Sequence, residues 1–522
     1  MEATYNDSAE AQGNFAQADA LHASAKTRLS SGDLMHAGHD EVERYVSAQG
    51  RRIMQALLQE HFMLRGMADA CGPVVGADGV ERTHARPDTD RRLVTSVGDV
   101  DVFRTAHGGR RLSTLHPVDA ELNLPTESYS FEVQRLVAKT AAEVSFARAG
   151  DLFDEYTGVR VGLRQVEEIA RASSSDLTEF YEQTSGGYEE ARTGPILVGT
   201  LDQKGVVMRR GSLRPATRKK AATAQPKLES RLTAGEKPNR KRMATVAAVY
   251  TVAPHQRTAD EVIAGLRHLR ATKPEVSRPR PRPEYKRVWA SLVAEVPEVV
   301  TELFDELERR DPSRGKRWII PIDGDQKLEK AVRKEAKRRG VEVTLVLDFI
   351  HALEYIWRAG HALFKHGTSE LETWVLERLK MLLDGKASIV AASMRRCATT
   401  RGMSTKKRQP VDTAANYLLK RKDMMRYDEM LALGAPISSG VIEGTCRSLV
   451  NDRMDLTGAR WGLAGAEAML KLRAILRSGD WDEYWPFHVQ AEYTRNHASR
   501  YADGQPPAVE IPKRCGHLRV IK

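Results

Sequence analysis

Two aspartates that each follow a short apolar run are the residues of this chain best placed to do chemistry. Asp323 follows the run 318–322, and Asp348 follows a second run, 341–347, which is rich in β-branched residues. Both runs are typical of buried strands. Between them apolar residues recur every four positions up to Gly340, as in a helix ending at a glycine C-cap. Such a crossover makes the two strands parallel, so both carboxylates emerge at one edge of a sheet.

Each aspartate also has a purely structural interpretation. Asp348 can cap a helix that starts at Phe349 by accepting a hydrogen bond from the amide of His351. Asp323, which Gly324 follows, can belong to a plain turn. Further acids at the same edge would favour a site over these local roles.

Two further acids occur in distinctive surroundings. Asp202 closes the apolar run 195–201 and is predicted near the carboxyl end of a third strand. Glu443 lies in a predicted helix within residues 436–454, one step around from its buried stripe. An ion pair with Arg447 is the structural alternative for Glu443, and it would contribute only about 0.3 to 0.5 kcal/mol.

The order of these segments predicts the fold class. A strand with Asp202, a strand over 243–252, a helix, a strand with Asp323, a helix, a strand with Asp348, helices, and a helix with Glu443 is the element order of a ribonuclease H-like domain. We therefore predict an α/β protein whose ribonuclease H-like catalytic domain has an all-helical insertion, preceded by a mainly helical N-terminal region with a β-hairpin.

The predicted domain boundaries follow shifts in composition and periodicity. They are a disordered N-terminus (1–30), a mainly helical DNA-binding region with a hairpin and a candidate helix-turn-helix (31–190), the first part of the catalytic domain (191–350), the helical insertion (351–436), the final catalytic helices (437–480) and a C-terminal tail (481–522).

Three predictions concern individual segments. Residues 92–103 alternate apolar and polar side chains across a Gly-Asp turn, which indicates a hairpin. Residues 163–172 are the candidate second helix of a helix-turn-helix, although simple packing of the two helices is the alternative. The segment RPRPRP at 278–283 must be extended, and a helix is predicted over 285–310.

The charge distribution points to a polyanionic partner. The chain has 81 Lys and Arg against 70 Asp and Glu, a net charge of +11 and a pI near 9.3. The excess is clustered at 203–242 and again at 395–426, which favours contacts with a phosphate backbone. The candidate DNA-binding residues are Lys204, Arg209, Arg210, Arg214, Arg218, Lys219, Lys220, Arg240, Lys241 and Arg242.

Cysteine usage and hydropathy indicate the cellular location of the protein. The four cysteines are widely spaced and match no zinc-knuckle pattern, which is typical of reduced cytosolic thiols. No apolar stretch approaches the roughly 20 residues that span a bilayer. We expect a cytoplasmic, nucleoid-associated protein with no membrane partner.

Together these motifs resemble the DDE transposases of bacterial insertion sequences, in particular the ISKra group, which is related to the Mutator-like transposases. The resemblance covers roughly residues 90 to 500. The segments that carry it are LDQKG at Leu201, ATRKKA, GEKPNRKRMA, IDGD at Ile322, DFIHALEYIW at Asp348, and SGVIEGTCRSLVNDRMDLTGARW at 439–461.

The resemblance implies a function and roles for five residues. Asp202, Asp323 and Glu443 match the three catalytic acids, and Asp348 with His351 matches the D-x-x-H motif. The implied protein cleaves and joins DNA strands, acts on transposon ends and target DNA, and works as a homo-oligomer on double-stranded DNA. A nuclease that cuts without joining and a non-catalytic DNA-binding derivative remain as alternatives.

In-line attack on a phosphodiester explains these residue types. Two Mg²⁺ ions about 3.5 to 4 Å apart stabilise the attacking and leaving oxygens, and Mg²⁺ prefers oxygen ligands, with Mn²⁺ as an alternative. Asp202 would bridge both ions, with Asp323 and Glu443 on one each. His351 could orient the phosphate or a flanking acid, or be satisfied locally at a helix start. Residues 103–116 lack the cysteine pair that related chains often carry, so no structural zinc is predicted.

Overall fold

The computed structural model describes residues 15–184, 193–225, 227–233, 236, 240–267 and 280–510. The chain divides into two compact units. The first unit combines Met1–Phe180 with Asp482–Lys522, and the second, here called the sheet unit, is Tyr181–Trp481. All five residues of the predicted active site belong to the sheet unit.

The elements, in chain order, are mostly helical. The helices are α1 (Ala16–Leu29), α2 (Gly32–Met35), α3 (His39–Gly66), α4 (Pro117–Glu121), α5 (Phe131–Glu143), α6 (Phe146–Thr157), α7 (Leu163–Ala172), α8 (Leu177–Gln183), α9 (Pro215–Thr223), α10 (Ala259–Arg267), α11 (Val296–Arg310), α12 (Gln326–Arg339), α13 (Phe349–Leu363), α14 (Ser369–Leu383), α15 (Ala387–Thr400), α16 (Thr405–Lys420), α17 (Tyr427–Leu433), α18 (Gly440–Thr445), α19 (Asp452–Met454), α20 (Leu463–Ser478) and α21 (Trp481–Asn496). The strands are β1 (Asp69–Ala70), β2 (His84–Thr95), β3 (Gly98–Gly108), β4 (Ile196–Val207), β5 (Lys241–Val252), β6 (Glu284–Ser291), β7 (Arg317–Ile322), β8 (Thr344–Leu347) and β9 (Val509–Glu510).

The first unit has ordered helices where the sequence predicted disorder and a tail. Residues 1–14 lie outside the described residues, but α1 packs beside α3, and the backbone amides of Gln17 and Ala18 donate to the carboxylate of Glu60. Small alanines such as Ala18 let the two helices approach closely, so the lack of large apolar residues is no obstacle to packing. The predicted C-terminal tail likewise begins as helix α21.

The predicted hairpin is present as the antiparallel pair β2 and β3, but its turn lies elsewhere. Thr95 pairs with Gly98, so Ser96 and Val97 form the turn instead of Gly98 and Asp99. Gly98 begins β3 with φ +133°, and a Cβ there would lie within 2.8 Å of the Gln55 side chain. The positive φ of Gly98 and the nearby Gln55 side chain of α3 both favour glycine at this position.

The predicted helix pair of the candidate helix-turn-helix is also present. α6 ends at Gly158, whose φ of +73° is the left-handed conformation of a glycine C-cap. On α7, the exposed Arg164 forms a salt bridge with Glu168 across one turn. The role of α7 in reading DNA stays a prediction.

The sheet unit is a mixed α/β structure around a five-stranded sheet with the order β6-β5-β4-β7-β8. β4, β7 and β8 are parallel, whereas β5 is antiparallel to both β4 and β6. Apolar side chains of the central strands and of α11–α13 form one continuous core. The residues after β8 form helices α13–α17, whose apolar faces belong to the same core.

Residues 285–310 are not one helix, contrary to the sequence prediction. Strand β6 occupies the first part, and α11 begins only at Val296, where Glu295 and Glu298 form a reciprocal capping box. Val288 and Ala290 of β6 point into the core, so the alternation of a sheet edge prevails over the helical propensity of its charged residues.

Two further observations concern the described residues as a whole. Their helices are all too short or too polar to cross a membrane. Cys71, Cys397 and Cys446 are free thiols, and Cys515 lies outside the described part of the chain.

Candidate active site

Strand register brings three of the predicted residues to one level of the sheet. β4 pairs with β7 from Ile196↔Arg317 to Val198↔Ile319, and continuing this register by four residues sets Asp202 opposite Asp323. The Thr200 hydroxyl donates to the Pro321 carbonyl at 2.9 Å, in keeping with that register.

The pairing of β7 with β8 brings Asp348 to the same level of the sheet. β7 pairs with β8 up to Ile322↔Leu347, so the following residues, Asp323 and Asp348, also stand level. Asp202, however, lies in the middle of the twelve-residue strand β4 and not near its carboxyl end, because β4 extends beyond the parallel strands to pair with β5.

The turn that carries Asp323 is held by the helices after β8. Gly324 has φ +88°, and a Cβ there would lie 2.6 Å from the Tyr417 hydroxyl. That hydroxyl donates to the Asp323 carbonyl at 3.4 Å, and Arg421 donates to the Gly324 carbonyl at 2.7 Å. The Asp323 carboxylate accepts from the backbone amide of Asp325 at 2.8 Å. The glycine is therefore required by a left-handed turn under close contact.

Asp348 combines its expected capping role with a second one. Its side chain is fully buried and accepts from the amide of Ile350 at 2.7 Å, at the start of α13, and not from the amide of His351 as predicted. It also accepts from the Ser439 amide at 2.6 Å and from the Ser439 hydroxyl. Asp348 thus ties α13 to the segment that begins α18.

Glu443 is connected to Asp348 through the same serine. The Ser439 hydroxyl lies 3.3 Å from Oε1 of Glu443, which is exposed on α18. The alternative role of Glu443, an ion pair with Arg447, is not found among the described residues, and Arg447 faces Asp452 at 3.9 Å. After α18 the helix continues as a π-helical stretch, Cys446–Asn451, a distortion that is frequent at functional sites.

Cys446 reaches Asp202 from the same helical segment. Its Sγ donates to Oδ2 of Asp202 at 3.2 Å, while Oδ1 accepts from the Gln203 amide at 2.6 Å. Burial, with the carboxylate of Asp202 adding to it, raises the pKa of the Cys446 thiol, so the thiol is the donor. Glu443 also acts electrostatically on this thiol.

Sequence reasoning missed this role of Cys446, as it missed Ser439, Tyr417 and Arg421. The available signal was spacing, because Cys446 stands three residues after Glu443 and Ser439 four residues before it, positions that share a helix face. The contacts of Tyr417 and Arg421 join residues about one hundred positions apart, for which the sequence gives no local signal.

The acids influence one another electrostatically. Burial raises the pKa of Asp323, and the carboxylates of Asp202 and Asp325 act in the same direction, while a backbone hydrogen bond and His351 oppose them. His351 is half-buried and faces Glu354 at 3.9 Å. Because like charges are crowded in a partly buried place, this part of the sheet unit favours a bound cation.

The predicted metal ligands nevertheless form an open arrangement. Within the part of the chain that the structure describes, one group of three His, Cys, Asp or Glu side chains could hold a metal ion. It consists of Asp176, His488 and Glu492, whose ligand atoms, one from each residue, all lie within 4.8 Å of one another. The carboxylate oxygens of Asp202, Asp323 and Glu443 therefore do not all lie within 4.8 Å of one another. Ligands on two ions that are themselves about 3.5 to 4 Å apart can be spaced in this way.

The Asp176 group belongs to the first unit and is an ion-pair network as it stands. His488 Nδ1 lies 2.6 Å from the carboxylate of Asp176, and Arg495 pairs with both Asp176 and Glu492. A metal ion would have to displace a guanidinium that already neutralises both acids. This group is therefore a weaker candidate for a metal site than the acids of the sheet unit.

The predicted DNA-binding residues fall into two sets. Lys204 lies two residues after Asp202 on β4, hence on the same face of the sheet, and α9 carries exposed basic side chains. Arg214 and Arg242 are instead engaged by protein groups: Arg214 pairs with Glu295, and Arg242 donates to the Leu292 carbonyl at 2.7 Å. The remaining members that the structure describes as exposed are Arg209, Arg210, Arg218, Lys219, Lys220 and Lys241, and Arg240 is half-buried.

Comparison with known proteins adds little evidence on the function of this chain. No family model and no curated protein sequence matches the chain. Among solved structures it is similar to a chain of the Drosophila P element transposase strand transfer complex, with 10% sequence identity, a TM-score of 0.23, and coverage of 73% of this chain and 84% of the other. A TM-score of this size does not establish a shared fold, so the function proposed below rests on the geometry of the chain itself.

Proposed function

We propose that this chain is a DNA transposase that cleaves and joins DNA strands by metal-dependent phosphodiester chemistry. The active site in this proposal consists of Asp202, Asp323 and Glu443 as metal ligands, with Asp348 and His351 beside them. The domain is proposed to be ribonuclease H-like, in agreement with the resemblance to insertion-sequence transposases.

The observation that carries the proposal is the alignment of Asp202 on β4 with Asp323 and Asp348, which directly follow β7 and β8. Continuing the observed strand register sets Asp202, Asp323 and Asp348 level with one another, and Ser439 links Asp348 to Glu443. Four acids from distant parts of the sequence therefore belong to one connected set. A purely structural role for each acid would not require them to share one row of the sheet.

The residues present fit divalent cations of the hard type. The acids offer carboxylate oxygens, which Mg²⁺ and Mn²⁺ prefer, and the pKa of Asp323 is raised by burial and by Asp202. When bound, two such ions would stabilise the attacking and leaving oxygens of an in-line displacement.

The chain's own residues supply positioning. Lys204 can contact a phosphate beside Asp202, because both project from the same face of β4. His351 is near enough to Asp323 to influence its charge, so it can hold a scissile phosphate or that acid. Asp348 fixes the helix of Glu443 through Ser439.

The proposed reaction has two displacements. In the first, a water oxygen attacks the phosphorus, the P–O3′ bond breaks, and the leaving 3′ oxygen takes up a proton. In the second, the freed 3′ hydroxyl loses its proton and its oxygen attacks the phosphorus of a phosphodiester in target DNA. The P–O3′ bond of the target strand breaks and the leaving target 3′ oxygen takes up a proton, so that the transposon strand is joined to the target. The partners are thus transposon ends and target DNA, and we propose a homo-oligomer on DNA that acts in the cytoplasm, on the nucleoid.

The experiment uses the full chain and a supercoiled plasmid carrying the DNA that flanks the gene. Asp202→Asn, Asp323→Asn and Glu443→Gln should each lower Mg²⁺-dependent cleavage by about a hundredfold or more, while DNA affinity changes little; a hundredfold corresponds to about 2.7 kcal/mol on the barrier. Glu492→Gln is the control, because it removes an acid of the Asp176 network.

The outcomes separate the alternatives. Cleavage without joined products would identify a nuclease, and DNA binding without cleavage under any divalent metal would identify a non-catalytic derivative. Normal cleavage by the three acid variants, together with loss in Glu492→Gln, would move the chemistry to the first unit.

A further inference from the structure

A groove of about 250 Å³ lies in the sheet unit, beside the segment that leads to Glu443. One wall is the end of β5 with Tyr250, and another contains Ile437 and Val441, which flank Ser439. The third wall is Arg280 with Pro281, an extended piece of the Arg-Pro segment. Apolar and cationic groups thus face one another across a space large enough for small molecular fragments.

The groove is lined by positive charge without negative charge. Arg257 and Arg280 line it, and none of its lining residues is an acid. Arg257 is held by backbone carbonyls, donating to His255 at 3.2 Å and to Ala435 at 2.9 Å. Burial lowers the pKa of Arg257, and the neighbouring Arg280 adds to this effect. Two guanidiniums that repel each other beside apolar walls favour an anion that also has an apolar part.

The groove is also connected to the proposed active site. Ser438 and Gly440 line it, and Ser439 between them bonds both Asp348 and Glu443. Tyr250 pairs with Val198, four residues before Asp202 on β4. At about 3.3 Å per residue this is about 13 Å along the strand, roughly four nucleotides at the 3.4 Å rise of duplex DNA.

We propose that this groove binds the DNA strand that continues from the cleaved phosphodiester, about four nucleotides away from it. Arg257 and Arg280 contact a phosphate, and the apolar walls formed by Ile437, Val441 and Pro281 contact the sugar or base. This inference rests on the proposed function, since it identifies a strand-binding subsite of the same active site.

The test measures binding in EDTA, so that it does not depend on cleavage. Fluorescent duplexes that end at the expected cleavage position carry single-stranded extensions of zero to about eight nucleotides, and their affinity is followed by anisotropy. The wild-type chain should gain about fivefold in affinity once the extension passes about four nucleotides. Arg280→Glu should abolish that gain and reduce the salt dependence of binding by about one phosphate contact.

Two further variants make the test specific. Ala253→Trp fills the groove from its half-buried wall without changing charge, and it should abolish the same gain. Arg282→Glu is the matched control, because Arg282 is exposed in the same segment but does not line the groove, and it should retain the gain. Thermal denaturation of all three variants verifies that they are folded.

The results distinguish this inference from the proposed function. A gain that the wild type shows and that only the two groove variants lose supports the subsite, even if the acid variants cleave normally. An affinity independent of extension length, or equal losses in Arg280→Glu and Arg282→Glu, would overturn it and leave the groove to another occupant such as a protein segment.

Discussion

Asp202 on β4 stands opposite Asp323, the residue directly after the neighbouring parallel strand β7, when the register of Val198↔Ile319 is continued. Asp202 is one cause of the raised pKa of Asp323, after burial. A carboxylate whose ionisation is hindered by burial and by a neighbouring acid is poor for folding but useful for binding a cation. This relationship leads directly to a test in the metal-free protein.

Asp323→Asn should stabilise the metal-free chain at neutral pH. A folded-state pKa above the unfolded value contributes stability below the unfolded pKa, and that contribution is lost as pH rises through the folded pKa. Ionised Asp323 is therefore unfavourable at neutral pH, and asparagine removes the charge while its oxygen can still accept from the Asp325 amide. The melting temperature in EDTA should rise, with a gain that shrinks as the pH falls through the raised pKa.

Adding Mg²⁺ should reverse the order of the melting temperatures of wild type and Asp323→Asn. Wild type should gain melting temperature when Mg²⁺ is added, because a ligand that binds only the folded state stabilises it. Asp323→Asn should gain much less. An unchanged or lower melting temperature of Asp323→Asn in EDTA at neutral pH would contradict the conclusion that ionised Asp323 destabilises the metal-free fold.

Asp348→Asn should weaken both the fold and the chemistry. Asparagine can keep the cap to Ile350, but its amide group then meets the donating amide of Ser439. An unsatisfied buried group costs about 1 to 3 kcal/mol, and cleavage should fall at least about tenfold because the helix of Glu443 loses its anchor. Urea unfolding and Mg²⁺-dependent cleavage on the same preparation measure both effects.

Ser439→Ala is the graded control for Asp348. It removes the hydroxyl that lies between the carboxylates of Asp348 and Glu443 but keeps the backbone amide, so its losses should be smaller. If Asp348→Asn were as stable and as active as wild type, Asp348 would be a helix cap alone.

Cys446 should act as a positioning residue for Asp202. Cys446→Ser retains a donor toward Oδ2 and should cleave nearly normally, whereas Cys446→Ala removes it and should lower cleavage about tenfold. The Mg²⁺ concentration for half-maximal cleavage should also increase in the alanine variant, because one oxygen of the metal ligand is no longer oriented. Equal behaviour of the serine and alanine variants would indicate a packing role only.

The basic face of α9 should provide affinity for DNA without sequence preference. Changing Arg218, Lys219 and Lys220 to glutamine should reduce the slope of log affinity against log salt by about two to three, since each lost phosphate contact releases about one counterion fewer. Binding is measured on unrelated DNA sequences over a range of salt.

The matched control removes the same number of charges from an exposed helix face of the same unit. Lys327, Lys330 and Lys334 of α12 changed to glutamine should leave the salt slope nearly unchanged. If both triple variants lowered the slope equally, the effect would reflect net charge rather than a binding surface.

Local patterns in the sequence determined much of the sheet. The strand, helix, strand unit around Asp323 and Asp348 follows from apolar periodicity and from the glycine after α12, because these features depend on neighbouring residues. Handedness and short connections then require parallel strands and a shared edge. The capping role of Asp348 was predictable for the same reason.

Only the tertiary structure decided what depends on distant parts of the chain. Strand β6 replaced a predicted helix because an edge position in the sheet outweighed local propensity, and α1 became ordered by packing on α3. The contacts of Ser439 with Asp348 and of Cys446 with Asp202 join residues 91 and 244 positions apart. The sequence by itself supplied the acids and their order, but their common row depends on strand register, which is a property of pairing and not of any single strand.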